Sequence, residues 1–158
     1  NGGEDFIRAM SRLDKTAELC QRPEVRFASL VRSIMHSVED SEDMLDEIDR
    51  ELRLPNIWRR CAEFASRHLP DPLKGKDAAA AVDTLTKLHN HPIGIDGCIA
   101  ITKAEGTIGS YPFLEESELY LEVMKKARAE LPAEIEGKAR GEWIRARQIE
   151  EIGRICRK

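Results

Sequence analysis

PEVRFASLVRSIM, running from Pro23 to Met35, reads as a helix that is apolar almost all round. Pro23 suits a first helical turn, where its missing N–H is no loss. Val25, Phe27, Ala28, Leu30, Val31 and Ile34 then leave little polar face, which is the pattern of a helix buried among others. No stretch of the chain shows the sustained alternation of a half-buried strand. The expectation is an all-α protein, an array of about eight helices without a sheet.

Outward from this segment the helical reading continues. Upstream, Glu4 to Cys20 forms one helix, with Phe6, Met10, Leu13 and Ala17 at helical spacing. Downstream, Ser37 to Asp43 is a polar break, and Met44, Leu45, Ile48 and Leu52 mark a third helix. Pro55 opens a fourth, running to about His68. Pro70, Pro72 and Gly75 form the clearest linker, so the chain divides into 1–69 and 70–158. Asp77 is placed to cap the next helix, His89 to Pro92 to turn, and Ile93 to Ala104 to form an apolar helix. Glu115 to Leu131 reads as one long helix with Tyr120, Met124, Ala127 and Leu131 on a stripe. Beyond Gly137 and Gly141 comes a last helix from Glu142 to Arg157.

Composition narrows the function classes. In 158 residues, 41% apolar content is enough for a core, and 34% charge solvates the surface. Lys and Arg total 25 against 29 Asp and Glu, a net charge of −4, which excludes a uniformly basic nucleic-acid binder but permits a local basic patch. Aromatics at 5% argue against stacking platforms for single strands. Cys20, Cys61, Cys98 and Cys156 form no CxxC pair and are expected as reduced, mostly buried thiols of a cytoplasmic protein. No apolar run reaches the roughly 18 residues that span a membrane. The start Asn1-Gly2-Gly3, without Met, is expected of a fragment or of a cloning remnant.

Charge is unevenly spread. Glu39 to Glu51 holds eight acids and one base, Arg50, but lacks the spacing and the turn glycine of a calcium loop. A solvated helix face is expected there. Lys138 to Lys158 holds seven bases against three acids. Arg147, Arg154 and Lys158 share one side of a helix, and Ile149, Ile152 and Cys156 another. Such a helix could dock by its apolar stripe and offer its basic stripe to phosphates. An ordinary basic helix end, favoured by the helix dipole, explains the same composition.

Catalytic signatures are missing from the sequence. His89-x-His91 lacks a third ligand beside it, and no nucleophile elbow, Walker loop or dinucleotide fingerprint occurs. Asp46 and Asp49 lie one turn apart without a sign of a shared proton or metal.

Pro23-Glu24-Val25-Arg26-Phe27-Ala28-Ser29-Leu30 resembles the "PEVRFAALLHDLGK" segment of bacterial CCA-adding enzymes, the tRNA nucleotidyltransferases. In the same order, Leu52-Arg53-Leu54-Pro55-Asn56 resembles that family's "RLRVPNE", and Ala62-Glu63-Phe64 its "AEFH". Gly137-Lys138-Ala139-Arg140-Gly141-Glu142-Trp143-Ile144, followed by Arg147, resembles the closing "GxxGxEI…R" stretch. The match spans nearly the whole chain and corresponds to the family's C-terminal half, a helical body and tail with an embedded HD-type segment.

The departures carry information too. The family's metal-binding His-Asp falls on Arg32-Ser33, and its following Gly-Lys on Met35-His36. Neither an Arg nor this Ser replaces the ligands, so the metal-dependent phosphohydrolase activity of some members is expected to be absent. The "EADxRG" stretch is reduced to Lys103-Ala104-Glu105-Gly106, with Thr107 in place of the Arg.

The resemblance thus implies a tRNA-binding module with a degenerate HD region, holding tRNA while a nucleotidyltransferase head, upstream or on another chain, adds the 3′ nucleotides. No catalytic or metal residue is expected in this chain. Mg and CTP or ATP are implied only for that head. Lys138, Arg140, Arg145, Arg147 and Arg154 are the expected phosphate contacts. The alternative is a helical interaction or scaffold module of the same ancestry without RNA binding.

Overall fold

The structure, a computed structural model, describes residues 2–37, 43–72 and 77–156. The protein is all-α, with nine α-helices and no strand among the described residues. The helices are α1 (Gly2–Leu19), α2 (Pro23–Ser37), α3 (Met44–Leu52), α4 (Asn56–Glu63), α5 (Ala78–His89), α6 (Gly94–Glu105), α7 (Pro112–Glu115), α8 (Ser117–Ala129) and α9 (Lys138–Cys156). None of them is long and apolar enough to cross a membrane. Two compact units emerge. One holds Asn1–Leu69 with Leu88–Ile108, the other Pro70–Lys87 with Gly109–Lys158. The chain passes from the first unit to the second after Leu69, and residues 88–108 return to the first. Gly75 of the expected linker lies outside the described residues, as do positions 39–42 of the acidic run.

In the first unit α2 is the central helix, packed by α1, α4 and α6. Its Val25, Ala28, Val31 and Met35 are buried, together with the short polar residues Ser29 and Ser33 and with Arg32. Val31 and Met35 join Leu45 of α3 and Ala62 of α4 in one cluster, flanked by Phe27, Met44 and Leu54. The Phe27 ring lies 5.3 Å from that of Trp58. Gly97 lets α6 close on α2: a Cβ there would stand 3.0 Å from Ile93 Cγ1 and 3.1 Å from Val25 Cγ2. Ahead of α2, the Arg22 guanidinium donates to the carbonyls of Pro92 (2.7 Å) and Ile93 (2.5 Å), fastening the start of α6.

The face of α1 differs from the expected stripe. Ala9, Thr16 and Cys20 are buried, whereas Phe6 (66% exposed) and Met10 (37%) face out. Periodicity gives the pitch of the stripe, but the small residues allow the closer approach to α2.

The fourth helix ends in a widened turn, Phe64–His68, where the Leu69 N–H donates to Phe64 O at 3.0 Å. The same register assigns the Ala65 carbonyl to residue 70, a proline without an N–H. Arg32 Nη1 donates to that carbonyl instead, at 2.5 Å.

In the second unit the expected cap of α5 is present, Asp77 Oδ1 accepting from the Ala79 N–H at 2.8 Å. The long helix expected over 115–131 is interrupted at Glu116, which leaves the helical region with φ −111° and ψ 37°. Pro112 starts α7, so Phe113 and Leu114 enter the core separately from the α8 stripe of Tyr120, Met124 and Ala127. The buried Tyr111 donates its hydroxyl hydrogen to Pro70 O at 2.5 Å. The last helix begins four residues earlier than expected, at Lys138, directly after Gly137 in the left-handed region (φ 63°). Its buried positions are Gln148 and Ile152, while Cys156, expected on the apolar stripe, is exposed. The Gln148 amide donates to Met124 O at 3.2 Å and so satisfies its burial.

Candidate nucleic-acid interface

All five expected phosphate contacts lie on α9. Lys138 and Arg140 occupy its first turn and are exposed, and Arg145, Arg147 and Arg154 follow. Arg157 and Lys158, the end of the expected basic stripe, lie outside the described residues.

Most of these bases are already engaged. Arg145 forms a two-pronged pair with Asp83 of α5, Nε to Oδ1 and Nη2 to Oδ2 at 2.9 Å each. Its hydrogen bonds hold the Asp83 carboxyl below the usual carboxylate range. Arg147, the least exposed of the set, donates through Nε to Glu130 Oε2 at 2.9 Å. It also meets Glu150 at 3.3 Å and Glu151 at 3.1 Å, and the Glu130 hydrogen bond raises its pKa further. Arg154 reaches Glu150 and Glu151 at 2.9 Å each. Lys138 stands 3.7 Å from Glu142, and Arg140 makes no ion pair among the described residues. Sequence reading saw the bases on α9. It missed Asp83 and Glu130, the carboxylates that tertiary packing brings to them.

Such exposed pairs are individually weak, so a phosphate can exchange with a carboxylate at little cost. Their sum matters more. Four of the five bases, Lys138, Arg145, Arg147 and Arg154, meet five carboxylates, those of Glu142, Glu150, Glu151, Asp83 and Glu130. The local field of α9 is therefore close to neutral; Arg140 and the loosely held, exposed Lys138 carry the most available positive charge.

Arg32 takes part in a buried ion pair. Arg32, 5% exposed, places Nε 2.6 Å from Glu105 Oε1, joining α2 to α6. A guanidinium already occupies the position, so these residues do not fit a divalent cation. Thr107 takes up a capping role, its N–H donating to Thr102 O at 2.9 Å after Gly106 in the left-handed conformation.

His91, Asp46 and Asp49 each make contacts within the first unit. His91 Nδ1 accepts from the Ile93 N–H at 3.1 Å, and its ring packs 4.7 Å from that of Phe64. Asp46 and Asp49 both pair with Arg59, at 2.5 and 2.6 Å. No group of three or more metal-ligating side chains occurs among the described residues. The cysteines are free, with Cys20, Cys61 and Cys98 buried; burial pushes the Cys61 thiol up to about 11.

Comparison with protein-family models, with curated proteins and with solved structures finds no match to this chain. The fold defines an all-α protein of two helical units.

Proposed function

We propose that this chain is a tRNA-binding module similar to the C-terminal half of a CCA-adding tRNA nucleotidyltransferase, acting in the cytoplasm with a head domain that adds the 3′ nucleotides. The Arg32–Glu105 pair carries the reading. The two segments that resemble the family's HD and "EADxRG" stretches, 73 positions apart in sequence, lie against each other with their altered residues in direct contact. A helical body that retains the meeting of these segments but fills it with an ion pair accords with a degenerate HD ancestry. In this reading Lys138 and Arg140 make the first phosphate contacts, and Arg145, Arg147 and Arg154 exchange carboxylates for phosphates as RNA arrives. Duplex RNA is held by shape and backbone, which needs bases rather than aromatics. Mg and CTP or ATP belong to the head.

A second reading, a helical interaction module without RNA binding, is favoured by the neutralised field of α9. Fluorescence anisotropy with intact tRNA and an acceptor-stem minihelix, across a salt titration, separates the two. Preference for intact tRNA with a steep salt dependence supports the first. No binding at low salt supports the second.

A further inference from the structure

The seam between α1 and α2 changes character along its length. At Thr16 and Ser29 two hydroxyls share a buried hydrogen bond of 3.0 Å across it. One turn further along α2 stands Ser33, 5% exposed, whose hydroxyl is buried and makes no hydrogen bond among the described residues. A cavity of about 340 Å³ opens beside it. Asp5, Arg8 and Arg12 line it from one face of α1, and Ser33, His36 and Ser37 from one face of α2. Buried Ala9, with its single methyl, leaves the space between them.

The charges in this cavity favour an anion. Arg8 is held only loosely by Asp5, at 3.9 Å. Arg12 makes no ion pair among the described residues. Among the described residues, two guanidinium groups therefore face one carboxylate. The cavity lies along the N-terminal half of α1 and at the C-terminal end of α2, so the partial charges of the two helix termini offset each other. The side chains decide the sign. A guanidinium fork matches the oxygens of a phosphate group, and such a group supplies the acceptor that the Ser33 hydroxyl lacks. The volume leaves room for the substituent the phosphate carries.

We propose that this cavity binds a phosphate group through Arg8, Arg12 and Ser33. The site lies within the first unit and does not depend on the reading of α9 as an RNA contact. A free phosphomonoester and an RNA backbone phosphate share the chemistry, and the experiment distinguishes them.

The full chain is titrated with inorganic phosphate at low ionic strength and followed by amide chemical shifts and calorimetry. Wild type is compared with Arg12→Gln, Ser33→Ala and Lys103→Gln, the last removing an exposed charge on α6. Ser33→Ala removes a hydroxyl without a partner and so leaves folding intact. The expected result is a saturable response centred on Arg12, Ser33 and His36, weakened about tenfold by Arg12→Gln, less by Ser33→Ala, and unchanged by Lys103→Gln. A response that does not saturate overturns the proposal, as does one that Arg12→Gln leaves unaltered or that Lys103→Gln lowers equally. A parallel tRNA titration names the source. Affinity lost in Arg12→Gln means an RNA phosphate; affinity retained while phosphate binding is lost means a free phosphomonoester.

Discussion

Arg32 and Glu105 form a buried ion pair in the first unit, 6% and 5% exposed at their side chains, with Nε and Oε1 2.6 Å apart. The second arm of the guanidinium reaches the Ala65 carbonyl, which the proline at position 70 deprives of a main-chain donor. One side chain thus joins α2, α6 and the widened turn after α4.

Removing one partner leaves a buried charge uncompensated. Arg32→Ala or Glu105→Leu is expected to lower stability by about 3–5 kcal/mol. The double replacement Arg32→Met with Glu105→Leu recovers only part of that loss: apolar residues of similar volume need no partner, but the Ala65 carbonyl is left without its donor. Urea unfolding of the three variants measures it. Additive losses in the double variant would contradict the pairing.

Gly97 and Gly141 predict opposite signs for one substitution. Gly97→Ala drives a Cβ to 3.0 Å from Ile93 Cγ1 and 3.1 Å from Val25 Cγ2, costing about 1–3 kcal/mol as overpacking. Gly141 sits in the open near the start of α9, and a Cβ added to it would meet nothing within 4 Å. Gly141→Ala is expected to stabilise by about 0.5–1 kcal/mol through helix propensity. Thermal unfolding of both variants tests the pair.

His91 makes stability depend on pH. Burial, with Arg60 and His68 nearby, holds its imidazole below the ordinary histidine range against the opposing effect of Glu63. The unfolded chain therefore binds the proton more readily than the folded one, and stability rises with pH. The contribution is complete above the unfolded value and is lost as pH falls through the lower folded one. Protonation also removes the acceptor that the Ile93 N–H uses. Unfolding midpoints from pH 5 to 7.5 are expected to climb in wild type and to flatten in His91→Gln. An equal slope in both would place the effect elsewhere.

For RNA binding, the ion pairs of α9 divide its bases into two groups. Lys138→Gln with Arg140→Gln is expected to flatten the salt dependence of tRNA affinity by about two phosphate contacts while leaving unfolding unchanged. Arg147→Glu with Arg154→Glu adds two carboxylates to Glu130, Glu150 and Glu151. That double variant is expected to lose stability along with binding. Anisotropy and thermal unfolding, read together, separate contact from packing. Unchanged affinity in Lys138→Gln with Arg140→Gln removes the helix start from the interface.

What is legible in the sequence is local. Pro23 before a largely apolar run marks α2, Asp77 marks the cap of α5, and the spacing of Tyr120, Met124 and Ala127 marks the buried face of α8. These signals act within a few turns of one helix, where side-chain order and backbone hydrogen bonds decide the outcome. The basic content of α9 is equally readable, because charge is a property of the residues present. The state of those charges is not. Asp83 stands 62 positions from Arg145, and Glu105 stands 73 from Arg32. Only the packed chain brings such pairs together, and only packing turns the small face of α1 inward and leaves Phe6 outside. Helix propensity and periodicity depend on near neighbours, so sequence alone determined an all-α protein with a basic last helix. Burial and ion pairing depend on residues distant in sequence, so tertiary structure decided which charges are committed and which remain available to a ligand.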